Sequence, residues 1–257
     1  MWTDVLTPFR LLVRGFFLIL LATFGSIPTF LSVNRFGATI KVDHRQLDEF
    51  MLNWWTGMIF RVFGIRVEVT GAALDGPVLI VSNHISWLDI LALHSSAAMG
   101  FVSKAEVASW PFIGFLARLS KTVFHERGSQ DSANSVSNAM VRRLKSGGRV
   151  AIFPEGGIKP GDMIKVFHAR MFKAAVEADC LVQPVMIRYL RNGQRDSELT
   201  FIDDENFVMN FLRLLGRPSS VCELKYLSPI APEGRPRKLI AEQAQRAVMV
   251  AYEGVGN

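Results

Sequence analysis

Hydrophobic and polar positions along the chain follow two periods, one typical of strands and one typical of helices. Short continuous apolar runs at Val78–Val81, Val150–Phe153 and Leu181–Ile187 predict strands covered on both faces. Arg66–Thr70 alternates between apolar and polar residues, which predicts an edge strand. Further strands are predicted at residues 101–103, 122–124 and 221–226.

Segments with helical spacing separate these strands. The clearest is Ser129–Lys145, which Gly147 and Gly148 are expected to end. Other helices are predicted at residues 86–97, 105–119, 168–178 and 238–252. A further helix at 46–62 is predicted to lie either on a membrane or on the core. Strands that alternate with helices predict an α/β fold, with a mostly parallel sheet covered by helices on both faces.

The N-terminal segment carries a long apolar stretch. Gly15–Val33 contains nineteen residues without a charge, and as a helix it would be about 28 Å long, close to the thickness of a bilayer core. Gly25 and Pro28 are expected to kink it. We predict a membrane anchor that either spans the bilayer or is re-entrant. A signal peptide and a buried core helix are the alternatives, and the lack of an obvious cleavage site weighs against the signal peptide.

Composition narrows the class of partner. The chain is 49% hydrophobic and carries a formal net charge of +6, with a mean hydropathy of +0.23. A basic chain suggests nucleic acid, an anionic membrane surface or an anionic substrate, and the apolar composition favours the membrane over nucleic acid. Cys180 and Cys222 lack the spacing of zinc or redox motifs, so no metal site is predicted and a reducing, cytosolic environment fits.

Candidate chemistry begins where the Val78–Val81 strand ends. His84 follows the strand, and Asp89 comes five residues later. Ligands in such sheets bind beyond the carboxyl ends of the strands. If His84 lies in the turn and a helix begins near Ser86, Asp89 lies in the first helical turn and can reach the imidazole. A carboxylate there would keep one ring nitrogen protonated and leave the other as a base. Alternatively, Ser86 and Asp89 form a capping box and His84 is an ordinary loop residue.

A second polar loop follows the Val150–Phe153 strand. Its residues Pro154, Glu155, Gly156 and Gly157 would bring a carboxylate and flexible backbone to the same edge of the sheet. Alone, such a turn is ordinary surface structure. Two polar loops at one edge favour a functional site.

Together these residues resemble the glycerolipid acyltransferase family, the PlsC-type 1-acylglycerol-3-phosphate (lysophosphatidate) acyltransferases. Four motifs carry the resemblance in order, over residues 64–226. They are Asn83-His84 with Asp89, the Thr122–Arg127 strand and arginine, Phe153-Pro-Glu-Gly156, and the Val182–Ile187 strand with Pro184.

The resemblance implies transfer of a fatty acyl group to lysophosphatidic acid, giving phosphatidic acid. It implies His84 as general base with Asp89 as its orienting partner, Arg127 and Lys104 on the acceptor phosphate, and Glu155 and Gly156 on the glycerol. It implies acyl carrier protein or coenzyme A as the thioester co-substrate, and no cofactor besides. It also implies a bilayer location, at a bacterial inner membrane with the active site facing the cytoplasm, and no nucleic-acid partner.

One departure from the family pattern affects the acceptor. The family often has Thr-Arg-Ser after the third motif, where this chain has Gly157-Ile158-Lys159. Together with residues 183–189, the loop is similar to a bacterial subgroup that includes lyso-ornithine lipid acyltransferases, whose acceptor is an aminoacyl lipid without phosphate. That acceptor is the alternative function, and an inactive lipid-binding membrane protein is an alternative of another class.

The predicted domain organisation follows. Residues 1–62 form an N-terminal membrane anchor and amphipathic helix, and residues 63–257 form the acyltransferase domain.

Overall fold

The structure is a computed structural model that describes residues 4–32, 39–42, 45–104, 122–125, 130–158, 163–202 and 204–254. Two short strands, β1 (Lys41–Val42) and β2 (Arg45–Gln46), pair with each other. The other described strands form one eight-stranded sheet. They are β3 (Ile65–Thr70), β4 (Val78–Ser82), β5 (Gly100–Lys104), β6 (Val123–His125), β7 (Arg149–Ile152), β8 (Leu181–Arg191), β9 (Gln194–Arg195) and β10 (Ser220–Tyr226).

The described helices are α1 (Thr7–Leu20), α2 (Ser26–Ser32), α3 (Leu47–Val62), α4 (Leu88–Ser96), α5 (Gln130–Lys145), α6 (Lys173–Ala178), α7 (Phe207–Gly216) and α8 (Arg237–Glu253). A π-helical turn at Leu21–Gly25 joins α1 to α2, and 3₁₀ turns lie at Ala169–Phe172 and Ser197–Leu199.

The strand order of the main sheet is β3-β10-β8-β4-β7-β5-β6, with β9 beside β8. The five strands from β8 to β6 in this order run parallel to one another. Strand β10 runs antiparallel to β8, and β3 runs parallel to β10. The prediction of a mostly parallel α/β sheet is therefore confirmed. The reversed direction of the β3–β10 edge was not predicted, because an apolar pattern does not encode strand direction.

The core lies on both faces of this sheet. One face packs on α3 and α4, and its largest buried side chains include Trp55, Phe60 and Leu88. The other face packs on α5, α6 and α8, with Leu144, Phe172 and Ile240 fully buried. All five residues of β4 are buried, as a strand covered on both faces requires. Two positions were predicted for the 46–62 helix, on a membrane or on the core, and the structure shows it on the core.

Several element boundaries differ from the sequence expectation. Strand β8 continues four residues past Ile187, to Arg191. Helix α7 was not predicted. The 105–119 helix falls outside the described residues. The division into residues 1–62 and 63–257 stays a prediction.

The N-terminal helix begins earlier than the uncharged stretch. It starts at Thr7, where Pro8 occupies the first turn. Thr7–Gly25 is long and apolar enough to cross a membrane by length and composition, and 6% of its apolar window is buried. The helix nevertheless contacts the rest of the protein, both in its middle and just past its C-terminal end. The Arg14 guanidinium donates to the carbonyl oxygens of Leu215 and Arg217, at 2.9 and 2.7 Å. Leu21 packs into the first core cluster.

Gly64, at the end of α3, makes room for this contact. Its φ of +72° favours glycine, and a Cβ there would lie 2.1 Å from the Arg14 guanidinium nitrogen. The α1 arginine therefore packs directly against backbone.

Candidate active site

Asn83 fixes the start of the turn that follows β4. Its side-chain amide donates to the Ile187 carbonyl at 2.8 Å, and its amide oxygen accepts from the Ile187 N–H at 2.9 Å. Just beyond the end of β4, the Asn83 side chain thus binds the Ile187 backbone of β8 in place of a neighbouring strand. Because Asn83 is almost fully buried, this paired contact holds the turn rigidly over the carboxyl end of the sheet.

His84 and Asp89 meet in this turn, as the spacing predicted. The His84 Nδ1 lies 2.9 Å from the Asp89 Oδ2. Helix α4 begins at Leu88, so Asp89 lies in its first turn and reaches back to the imidazole. The Ser86 Oγ accepts from the N–H of Leu88, the first residue of α4, at 3.4 Å, and the Asp89 carboxylate accepts from the Ser86 N–H. The predicted capping pair and the contact with His84 are therefore both present.

The Asp89 carboxylate is fully buried and satisfied by four donors. Its Oδ2 accepts from the His84 ring and from the N–H groups of Ile85 and Ser86, at 2.6 and 2.9 Å. Its Oδ1 accepts from the Tyr189 hydroxyl at 2.9 Å. Three of these donors converge on Oδ2 and one reaches Oδ1, so both oxygens of the carboxylate are hydrogen-bonded. The buried charge is therefore compensated by hydrogen bonds.

Tyr189 was not singled out from the sequence. It belongs to β8, one hundred residues after Asp89 in the chain, and the predicted strand ended at Ile187. Burial, reinforced by the charge of Asp89, raises the pKa of Tyr189 well above its usual range. The hydroxyl consequently stays protonated and acts as the donor. A strand prediction two residues longer would have placed Tyr189 at the site edge.

The imidazole is oriented for proton transfer. A carboxylate only accepts hydrogen bonds, so the His84 Nδ1 carries the proton and Nε2 is left with its lone pair. The ring stacks on Phe153, with centroids 3.9 Å apart and planes inclined by 11°. The His84 side chain is 13% exposed. The ring is therefore held in one orientation while a small part of it stays open to solvent.

Glu155 ties the second polar loop to the first. Its Oε1 accepts from the His84 backbone N–H at 2.9 Å, and its Oε2 accepts from the Lys165 N–H at 3.1 Å. Burial raises the pKa of Glu155, although both hydrogen bonds oppose this shift. Gly156 adopts a φ of +80°, which favours glycine in the turn. The structure thus brings His84, Asp89, Glu155 and Gly156 together at one edge of the sheet.

The structure describes little of the two cationic residues that were predicted to bind the acceptor phosphate. Lys104 is the last residue of β5, and its side chain lies outside the described part of the structure. Arg127 lies wholly outside it. Their binding roles stay predictions. His94 is buried in the core, where burial lowers its pKa to about 3, and His168 is exposed.

Trp87 connects the turn to a helix that the sequence did not predict. Its indole Nε1 donates to the Asn210 Oδ1 at 2.9 Å. Its ring contacts Phe207 and Phe211, with centroids 5.4 and 5.8 Å away. The turn between His84 and Asp89 is therefore packed directly on α7.

Residues 65–188 match the model of the acyltransferase family. The chain is 37% identical over 212 residues to a lyso-ornithine lipid O-acyltransferase of Pseudomonas aeruginosa, covering 82% of each chain. It is 32% identical over 148 residues to a 1-acyl-sn-glycerol-3-phosphate acyltransferase of Neisseria meningitidis, covering 56% of this chain and 58% of that one. The solved structure of the 1-acyl-sn-glycerophosphate acyltransferase PlsC from Thermotoga maritima has the same fold. Its TM-score is 0.68 at 21% identity, covering 98% of this chain and 100% of that one.

Proposed function

Because this chain belongs to the acyltransferase family, we propose that it transfers a fatty acyl group from a carrier thioester to the free hydroxyl of a lyso-ornithine lipid. The observation that carries the proposal is the 2.9 Å contact between the His84 Nδ1 and the Asp89 Oδ2. It leaves the imidazole Nε2 as a base at the open end of a buried hydrogen-bond network.

In the proposed reaction, the acceptor hydroxyl oxygen attacks the thioester carbonyl carbon while the His84 Nε2 takes its proton. Asp89 stabilises the imidazolium that forms, in the manner of the His–Asp part of a catalytic triad. The tetrahedral intermediate then collapses, the C–S bond breaks, and the imidazolium returns the proton to the departing thiolate. The products are the acylated lipid and the free thiol. No cofactor is proposed besides the acyl donor, because the acceptor is itself the nucleophile.

Two observations favour the lyso-ornithine acceptor. The chain resembles a relative named for that activity over 82% of both lengths. In addition, Gly157-Ile158-Lys159 replaces the Thr-Arg-Ser that often follows the third motif in the family. The replacement removes two hydroxyls and a planar guanidinium, which are groups suited to phosphate.

Lysophosphatidic acid is the second candidate acceptor, favoured by the relative named for that substrate and by the arginine at position 127. The variant Arg127→Ala separates the two candidates. We expect it to raise the KM for lysophosphatidic acid about tenfold, because a bidentate phosphate contact is lost. The KM for lyso-ornithine lipid is expected to stay unchanged.

We further propose that the protein acts at a membrane surface, with α1 as its anchor. The contacts of Arg14 and Leu21 with the rest of the protein favour a helix that lies along the bilayer interface over one that crosses it. A bacterial inner-membrane location with the site on the cytoplasmic side accords with a thioester donor, which is acyl carrier protein or coenzyme A.

The test offers the purified protein lyso-ornithine lipid, lysophosphatidic acid and lysophosphatidylcholine, each with labelled acyl-carrier-protein and acyl-coenzyme A donors. We expect the highest kcat/KM with lyso-ornithine lipid. Turnover of lysophosphatidic acid alone would overturn the proposed acceptor but keep the chemistry. No acyl transfer to any lysolipid, by a folded protein, would overturn the proposed function itself.

A further inference from the structure

Helix α7 has an apolar face that no described part of the chain covers. Its inner side packs into the protein through Phe211, Leu214 and Leu215. Its outer side presents Val208, Met209 and Leu212, which are 62%, 54% and 43% exposed. These three positions form one stripe, at i, i+1 and i+4 of the helix. Single exposed apolar side chains are common, but apolar residues grouped in one patch often mark an interaction surface.

The polar groups of α7 are all directed away from this stripe. The Arg213 guanidinium donates to both carboxylate oxygens of Glu205 and to the carbonyls of Glu198 and Thr200. The Asn210 amide binds Glu205 and accepts from Trp87. Consequently no charge of the helix is available to solvate its outer side.

The neighbouring helix α1 exposes a longer stripe of the same kind. Phe9, Leu12, Phe16 and Ile19 are all more than half exposed and recur at intervals of three and four residues, on one face of the helix. The two helices are joined at the C-terminal end of α7, where Arg14 binds the carbonyls of Leu215 and Arg217. Helix α7 is thus attached to a helix that is apolar enough to enter a membrane.

We propose that α7 is a second membrane-docking element, in which Val208, Met209 and Leu212 insert among lipid chains beside α1. We call the exposed stripes of α1 and α7 the docking surface. A lipid bilayer fits it because the side chains are apolar, the helices are short of polar outer groups, and the chain carries a net charge of +6 that anionic head groups attract.

The proposal gives the docking surface a role in placing the active site. Phe207 and Phe211 of α7 contact the ring of Trp87, and Asn210 accepts from its indole N–H. Trp87 lies between His84 and Asp89. A bilayer that holds α7 therefore holds the turn carrying the base at a fixed depth, where an acceptor lipid presents its hydroxyl. This role in placing the active site rests on the proposed function, whereas membrane docking by α7 does not.

The test compares two triple variants of the full chain. V208S/M209S/L212S removes the α7 stripe, and V176S/L239S/V250S is a matched control that removes exposed apolar side chains from α6 and α8. Binding is measured by co-sedimentation with vesicles of phosphatidylethanolamine and phosphatidylglycerol over a range of lipid concentrations. We expect the α7 variant to lower the partition coefficient about tenfold or more, and the control to leave it within about twofold.

Equal loss in both variants, or none in the α7 variant, would overturn the proposal. If the α7 variant instead lowers self-association in light scattering and leaves vesicle binding intact, the stripe is a protein interface and the proposal fails. None of these readouts needs turnover, so they fail independently of the proposed reaction.

A fluorescent label gives a second measurement that does not depend on how the triple variant folds. Cys180 and Cys222 are buried, so a single cysteine introduced at the surface can be labelled selectively. An environment-sensitive dye on M209C should shift its emission to the blue when vesicles are added, whereas the same dye on V250C should not. An unshifted M209C spectrum, with the protein bound to vesicles, would contradict insertion of α7.

Discussion

The turn that carries His84 and Asp89 and the docking surface arrange polar and apolar groups in opposite ways. In the turn, a charged carboxylate is fully buried and both of its oxygens accept hydrogen bonds. On the docking surface, large apolar side chains are exposed and the polar groups of α7 point inward. Trp87 of the turn packs directly on α7. The contrast indicates a site whose geometry is fixed by the protein interior, while its position is fixed by the lipid outside.

The two regions should therefore respond to different changes. Substitutions in the turn should alter the rate of the chemical step and leave membrane binding intact. Substitutions at the docking surface or at its attachment should alter membrane binding or stability and leave the geometry of the base intact.

The largest effect is expected from His84→Ala. Loss of the general base should lower kcat about a thousandfold, because the neighbouring carboxylates of Asp89 and Glu155 are already held by hydrogen bonds from the protein. Steady-state kinetics with the preferred lysolipid checks the rate. The variant should retain its vesicle binding and melting temperature, and substantial acyl transfer by it would contradict the mechanism.

Tyr189→Phe tests whether the interior of the site orients the base. The variant keeps the ring but leaves the Asp89 Oδ1 without its hydroxyl donor. We expect kcat to fall about tenfold with little change in KM, because the effect acts through Asp89 and not on the bound substrate.

Tyr226→Phe is the matched control for this prediction. Tyr226 is also buried, and its hydroxyl binds the Ser96 hydroxyl at 2.6 Å, away from the turn. It should lose stability without a comparable loss of kcat. Similar kcat values for the two variants would show that Tyr189 has only a structural role.

The attachment of α1 to α7 can be broken with Arg14→Met. The substitution leaves the carbonyls of Leu215 and Arg217 without their donor while keeping an apolar side chain of similar length. We expect a loss of about 2 kcal/mol in the free energy of unfolding, or roughly 5 °C in melting temperature. Arg66→Met, which removes a mostly exposed ion pair with Glu68, should change the melting temperature by less than about 2 °C. Equal shifts would mean that Arg14 does not hold the helices together.

The sequence predicts the turn better than it predicts the docking surface. The buried run before His84 and the placement of Asp89 in the first helical turn are local features, and the structure has both. The hydrogen bonds from Tyr189 to Asp89 and from Asn83 to Ile187 are not local, because each joins β8 to a residue about one hundred positions earlier in the chain. Only the pairing of β4 with β8 brings them together.

Helix α7 was not predicted from the sequence, for a different reason. Its sequence, FVMNFLRLLG, is apolar at most positions and only ten residues long, so its pattern is hard to distinguish from that of a short buried segment. A helix that packs on the protein with one side and faces lipid with the other has this pattern. For α1, the uncharged stretch predicted a start at Gly15, whereas the helix begins at Thr7. Arg10 and Arg14 lie within the helix, where their charged side chains donate to carbonyl oxygens of α7.

The smallest expected effect concerns the inner side of α7. Hydrogen bonds from the Arg213 guanidinium lower the pKa of Glu205 to about 2, with further donors in Asn210 and the Ile202 N–H. A lowered pKa in the folded state adds stability above the pKa of the unfolded chain, and that stability is lost as pH falls toward 2.

Glu205→Gln should therefore cost about 1 kcal/mol at pH 7, after allowance for screening by solvent. The difference from the parent protein should shrink to less than about half of that value near pH 3. Chemical denaturation of both proteins at pH 7, 5 and 3 measures this. A difference that stays constant with pH would mean that the charge of Glu205 does not hold α7 in place, and that the packing of Phe207 and Phe211 on Trp87 is sufficient to position the helix.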